Sequence, residues 1–210
     1  MSRNWLSCGG APPGPKSLDR FCPLTTPRAM PSSVPDAWVA MLGPCPDAQG
    51  RLFCFPHAGG SLHMFSGWTA AVAAGARFET HAIALPGHAH RIDEPSSTDM
   101  RHVVAEIARA LTPRLDLPYV LFGHSLGALL AVEVADMLRA LGLPLPLALI
   151  VSSLPAPHVM PASGPHCMHL LPDGELLAAV AQRWGYVPEE FLADPSAVNF
   201  MIPALRADIQ

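Results

Sequence analysis

No Cys-x-x-Cys pair occurs in this sequence, and its five cysteines (Cys8, Cys22, Cys45, Cys54 and Cys167) are odd in number. A disulfide framework needs an even set and a zinc knuckle needs closely paired ligands, so neither fits. The thiols are read as reduced, in a cytoplasmic protein. Charge is also scarce, at 14% of residues, and the net value of −4 is spread along the chain without a basic run. With no stripe to track phosphates or anionic lipid, neither nucleic acid nor a membrane is an expected partner. No apolar stretch of signal-peptide length opens the chain. The most apolar stretch, LGLPLPLALIV, is too short and too proline-broken to span a bilayer.

Proline is the residue in excess: there are 24, nine of them before residue 47. That stretch has no helical or strand period and cannot bury enough surface to offset its ordering entropy. Residues 1–47 are therefore read as a loosely ordered extension, unless translation starts at Met30. Residues 48–210 are read as one domain, long enough for a substantial core.

From Arg51 short apolar runs alternate with helical stretches, the pattern of βαβ units and a mainly parallel sheet covered on both faces. RLFCF, ETHAIAL, PYVLF and PLALIVSS read as strands. HMFSGWTAAVAAG reads as a helix closed by Gly75. Another helix runs from about Met100 to Leu111, with Val103, Val104, Ile107, Ala108 and Leu111 on one face and Thr98 or Asp99 as its cap. Beyond the fourth strand the strand signals stop. DGELLAAVAQRWG and PEEFLADPSAVNFMIPALRADIQ read as amphipathic helices, and residues from about 154 to 205 are expected to form a helical lid over a cleft.

Between PYVLF and a helix of small residues lies GHSLG, with Ser125 at its centre. Gly-x-Ser-x-Gly on a strand-to-helix turn is the pattern of a nucleophile elbow, in which the glycines permit backbone crowding and the helix N-terminus offers amides to a developing oxyanion. The alternative is a serine that merely caps an ordinary helix. FPHAGGS follows the first strand, where such sites draw their second oxyanion donor. That assigns the backbone N–H groups of Leu126 and Ala58 to the oxyanion hole, with Ser125 as the nucleophile. His57 is read as bracing the loop and His124 as structural, because an elbow exposes only the serine.

LFCFPHAGGS, ALPG followed by RIDEP, LFGHSLGAL, VSS with APH, and IPALRAD stand in an order and spacing that resemble the type II thioesterases of nonribosomal peptide and polyketide biosynthesis, members of the α/β-hydrolase superfamily. The resemblance covers about residues 47–210. It implies a serine thioesterase that removes acyl groups from acyl- or peptidyl-carrier proteins of a modular synthase, with no cofactor and no metal. A noncatalytic carrier-binding remnant and a general serine carboxylesterase are the competing readings. One departure is that Gly87 is followed by His88 and Ala89, where the family usually has Arg and Glu.

The resemblance also places the catalytic acid and histidine C-terminal to the LRAD segment, so the chain is expected to be C-terminally truncated, with the last strands of the sheet missing. Inside the chain, the position that carries the acid in synthase-fused relatives holds Ser152 and Ser153, which cannot serve as a carboxylate. Asp173, Asp194 and Asp208 read as solvated caps or surface charges. His158, His166 and His169 lie on the approach to the lid, within conceivable reach of Ser125.

Overall fold

The computed structural model describes residues 37–155, 168–184 and 195–210. Five strands form one sheet: β1 (Val39–Gly43), β2 (Gly50–Phe55), β3 (Phe78–Ile83), β4 (Tyr119–His124) and β5 (Ala148–Ser152), in the spatial order β1-β3-β2-β4-β5. The four strands from β2 onward are parallel, and β1 runs antiparallel along β3. The sheet is therefore mixed, with helices on both faces.

Alternation along β2 divides the core. Phe53 and Phe55, fully buried, face a cluster with Ile107, Leu111, Ala131 and Val134 of the helices α2 (Met100–Leu111) and α3 (Leu126–Ala140). Leu52 and Cys54 point to the other face, against Phe65 and Val72, the latter on α1 (Thr69–Ala76). Successive strand residues point to opposite sides, so a strand covered on both faces reads as an unbroken apolar run. Burying a side chain such as Ile107 or Leu111 completely contributes about 1.5–3 kcal/mol.

α2 forms as its sequence predicts. Val103, Val104, Ile107, Ala108 and Leu111 are buried, and the Asp99 carboxylate caps the helix by accepting the N–H groups of Arg101 (3.0 Å) and His102 (3.2 Å). The first helix differs from expectation. Residues 62–68 form a 3₁₀ segment, and α1 runs through Gly75 to Ala76. The left-handed residue that ends it is Arg77 (φ 54°), whose N–H donates to the Ala73 carbonyl at 3.1 Å. β3 starts at the very next residue, so the reversal falls on position 77 whatever its side chain.

Residues 39–43, assigned on sequence to the loosely ordered extension, are the edge strand β1. Val39 pairs with Ile83 and Ala40 with Ala82. Trp38 and Val39 are buried, and the Arg91 guanidinium lies 4.2 Å from the Trp38 ring centre. What orders this segment is a partner more than forty residues away, which a local proline count cannot reveal.

After β5 two helices were expected, and the described residues hold α4 (Asp173–Trp184) and α5 (Pro195–Asp208), while the start of the second expected span, 188–194, lies outside the described residues. Leu176 and Leu177 pack on Ile202 and Leu205, with Ala58 against the same cluster. Arg206 ties the pair together, donating to the carbonyls of His169 and Leu171 and to the Asp173 carboxylate. Among the described residues no helix is long and apolar enough to cross a membrane.

Candidate active site

Ser125 sits between the end of β4 and the first residue of α3 with φ 53° and ψ −117°. For a residue with a side chain this conformation costs about 1–3 kcal/mol and persists only where the surroundings enforce it. They do so on both sides. The Ser125 N–H donates to the Ser152 carbonyl of β5 at 2.8 Å, and its carbonyl accepts the Ala128 N–H at 2.9 Å. A Cβ on Gly123 would stand 2.2 Å from the Gly127 carbonyl oxygen, and one on Gly127 would stand 2.1 Å from that of Phe55. Both glycines are thus required by contact. The half-buried Ser125 makes no capping bond to α3, and among the described residues no side chain hydrogen-bonds its hydroxyl.

The PHAGG loop lies beside this turn. It leaves β2 at Phe55, the point where Gly127 touches the backbone, and closes with the Gly60 N–H donating to the His57 carbonyl at 2.8 Å. The rings of His57 and His124 meet edge to face, 5.9 Å between centres. His57 Nδ1 lies 2.8 Å from the Ala58 carbonyl, which keeps the ring on its own loop. The elbow and the loop that carry Leu126 and Ala58 are therefore brought together.

His124 turns inward. Its Nδ1 is 3.0 Å from the Ser152 hydroxyl, and burial, followed by the neighbouring His57, pulls the imidazole below its ordinary range. Ser152 thus holds the elbow twice, through its carbonyl and its hydroxyl, a role that sequence reading did not assign.

Asp208 is the larger correction. It was expected at the surface, yet its side chain is only 6% exposed. One carboxylate oxygen, Oδ2, accepts the Gly59 N–H at 2.7 Å and faces His88 Nε2 at 3.0 Å. The C-terminal end of α5 is thereby fastened to the PHAGG loop and to the loop after β3. Partners 149 and 120 residues away left no local signal. Asp173, by contrast, is an exposed charge paired with Arg206. His169 contributes its carbonyl to Arg206, and Asp194, His158 and His166 lie outside the described residues.

A pocket of about 180 Å³ is lined by Leu85, Met100, Val103, Leu126, Leu130 and Asp208, among others. Among the described residues no cluster of His, Cys, Asp or Glu is placed to hold a metal ion. A strained serine beside the PHAGG loop, with a pocket opening at the next residue, is a geometry suited to acyl transfer.

Comparison with known proteins agrees with this geometry. The family profile described as thioesterase domain matches residues 50–210. The gramicidin S biosynthesis protein GrsT of Aneurinibacillus migulanus is 34% identical over 161 residues, covering 77% of this chain and 61% of the relative. Among solved structures, the type II thioesterase BorB from the borrelidin biosynthetic cluster superposes with a TM-score of 0.70 at 34% identity, over 84% of this chain and 69% of BorB. RedJ, a thioesterase from the prodiginine pathway of Streptomyces coelicolor, gives 0.65 at 37% identity, over 77% and 59% of the two chains. The chain spans 61% and 65% of the length of GrsT and of the linear gramicidin dehydrogenase LgrE of Brevibacillus parabrevis. With most of its length matched and a shared sheet, this chain belongs to the thioesterase domain family.

Proposed function

We propose that this protein is a serine thioesterase that releases acyl groups from the phosphopantetheine thiol of carrier proteins in nonribosomal peptide or polyketide synthesis. The observation that carries the reading is the strained backbone of Ser125, held beside the PHAGG loop and followed by Leu126, which lines a pocket. Family membership and the names of the relatives, biosynthetic thioesterases among them, supply the substrate class. The odd cysteine count, with Cys54 a buried free thiol, supports a cytoplasmic setting.

In this mechanism the Ser125 Oγ attacks the thioester carbonyl, and the N–H groups of Leu126 and Ala58 hold the oxygen as it becomes negative. The C–S bond breaks and the pantetheine thiol departs. With a pKa near 8.5 it leaves far more easily than an amine. Water then cleaves the acyl-serine, returning the hydroxyl and a free carboxylic acid. The Ser125 proton ends on the departing thiol, relayed, in the family this chain resembles, by a histidine C-terminal to the LRAD segment.

The test is intact-mass measurement of the chain incubated with a short acyl-pantetheine thioester and with the matched oxygen ester. Acyl mass on Ser125, absent in Ser125→Ala and faster from the thioester, is the expected result. Binding of an acyl-carrier protein without any acyl transfer overturns the catalytic reading in favour of a binding remnant. Equal rates on the two esters favour a general carboxylesterase.

A further inference from the structure

Both ring nitrogens of His88 face acceptors. Nδ1 lies 3.0 Å from the Pro86 carbonyl, and Nε2 lies 3.0 Å from Asp208 Oδ2. A neutral imidazole carries one N–H and can satisfy only one of them, whereas the imidazolium satisfies both. The pair is buried, with His88 and Asp208 each 6% exposed at the side chain. The same Asp208 oxygen takes the Gly59 N–H, one residue beyond the Ala58 amide assigned to the oxyanion.

The other charged groups packed here are committed elsewhere. Arg91, on the loop after β3, is paired with Glu94, and Arg206, on α5, with Asp173. His57 bonds within its own loop and His124 bonds Ser152. His90 acts on Glu94. That leaves Asp208 as the charge acting on His88.

We propose that His88 is a positioning residue. In its charged form it fixes the Asp208 carboxylate, which holds the Ala58–Gly59 segment in register with Ser125, so the oxyanion loop is ordered only while His88 keeps its second proton. The proposal rests on the serine-hydrolase reading for its catalytic consequence, but not for the latch itself. Burial alone pulls His88 down, and the Asp208 carboxylate together with the Pro86 and Leu85 carbonyls more than offsets this, so the imidazole titrates above its ordinary value. An imidazole at this position, unlike an arginine, can lose its proton.

The experiment uses the full chain. Hydrogen exchange of a peptide spanning residues 56–62 is followed from pH 6 to 9, corrected for intrinsic exchange, with a peptide from α2 as control. Protection of the loop should fall about tenfold as His88 loses its proton, while α2 stays level. Asp208→Asn and His88→Gln should show the unprotected rate at every pH, and His88→Arg should restore protection at pH 9. Ser125 acylation by the acyl-pantetheine thioester, read in parallel, should slow in His88→Gln and lose its dependence on this titration. Loop protection that is flat with pH in the native chain, or unchanged in His88→Gln, overturns the proposal. Absent acylation alongside pH-dependent protection overturns only the hydrolase reading and leaves the latch standing.

Discussion

The Ser152 carbonyl accepts the Ser125 N–H at 2.8 Å, so the candidate nucleophile is fastened to the neighbouring strand as well as to its own helix. The strain at Ser125 is thus balanced across three elements: β4, β5 and α3.

Ser125→Ala should leave the fold in place, because the backbone bonds that hold this turn do not involve the hydroxyl. The melting temperature should change little, while the acyl mass that a thioester leaves on the native chain should be absent. Parallel thermal melts and mass-detected acylation check both halves.

Gly127→Ala should fail structurally. The new methyl would meet backbone oxygens of Phe55 and Pro56, which cannot swing aside as a flexible side chain could. A loss of at least about 3 kcal/mol is expected from urea unfolding, with the PHAGG loop displaced. Gly75→Ala is the control: nothing lies within 4 Å of its Cβ site and the residue is inside α1, so a gain of roughly 0.5–1 kcal/mol is expected.

Stability should depend on pH through His88 in a definite direction. Its folded pKa is raised, so its contribution is complete below about pH 6.5, the ordinary imidazole value, and is lost as pH rises through the folded value. The melting-temperature gap between the native chain and His88→Gln should therefore narrow from pH 6 to pH 9. His81 and His124, which burial pulls down, act in the opposite sense. They withdraw stability as pH falls below the ordinary value, so acid melts of the native chain combine both trends, and only the paired comparison isolates His88.

β5 is an edge strand with apolar exposure: Ile150 and Val151 are each 48% exposed, and Leu147 just before it is 68% exposed. Such an edge invites pairing with another chain. Ile150→Lys should lower concentration-dependent light scattering of the isolated chain with little change in its unfolding midpoint.

Sequence reading reached those elements whose cause is local. β2 and β4 announce themselves as unbroken apolar runs, and α2 shows its face and its Asp99 cap within a dozen residues. The elbow was legible because its glycines lie two positions either side of Ser125. β1 was missed because Val39 becomes a strand residue only against Ile83. The closure of α1 was misplaced because Arg77 is forced left-handed by the proximity of β3, against its own preference. Asp208 looked like any acidic residue near a helix end until the fold brought Gly59 and His88 to it. For β1 and Asp208 the decisive partner lies tens of residues away, and composition says nothing about such distances.

The hydrogen on Gly127 has a consequence for descent. Because α3 rests directly on the backbone at the start of the PHAGG loop, the gap between them is one hydrogen atom wide. Sulfur could replace oxygen at position 125 without shifting the main chain, so the chemistry of this site can drift. The dimension that frames it cannot.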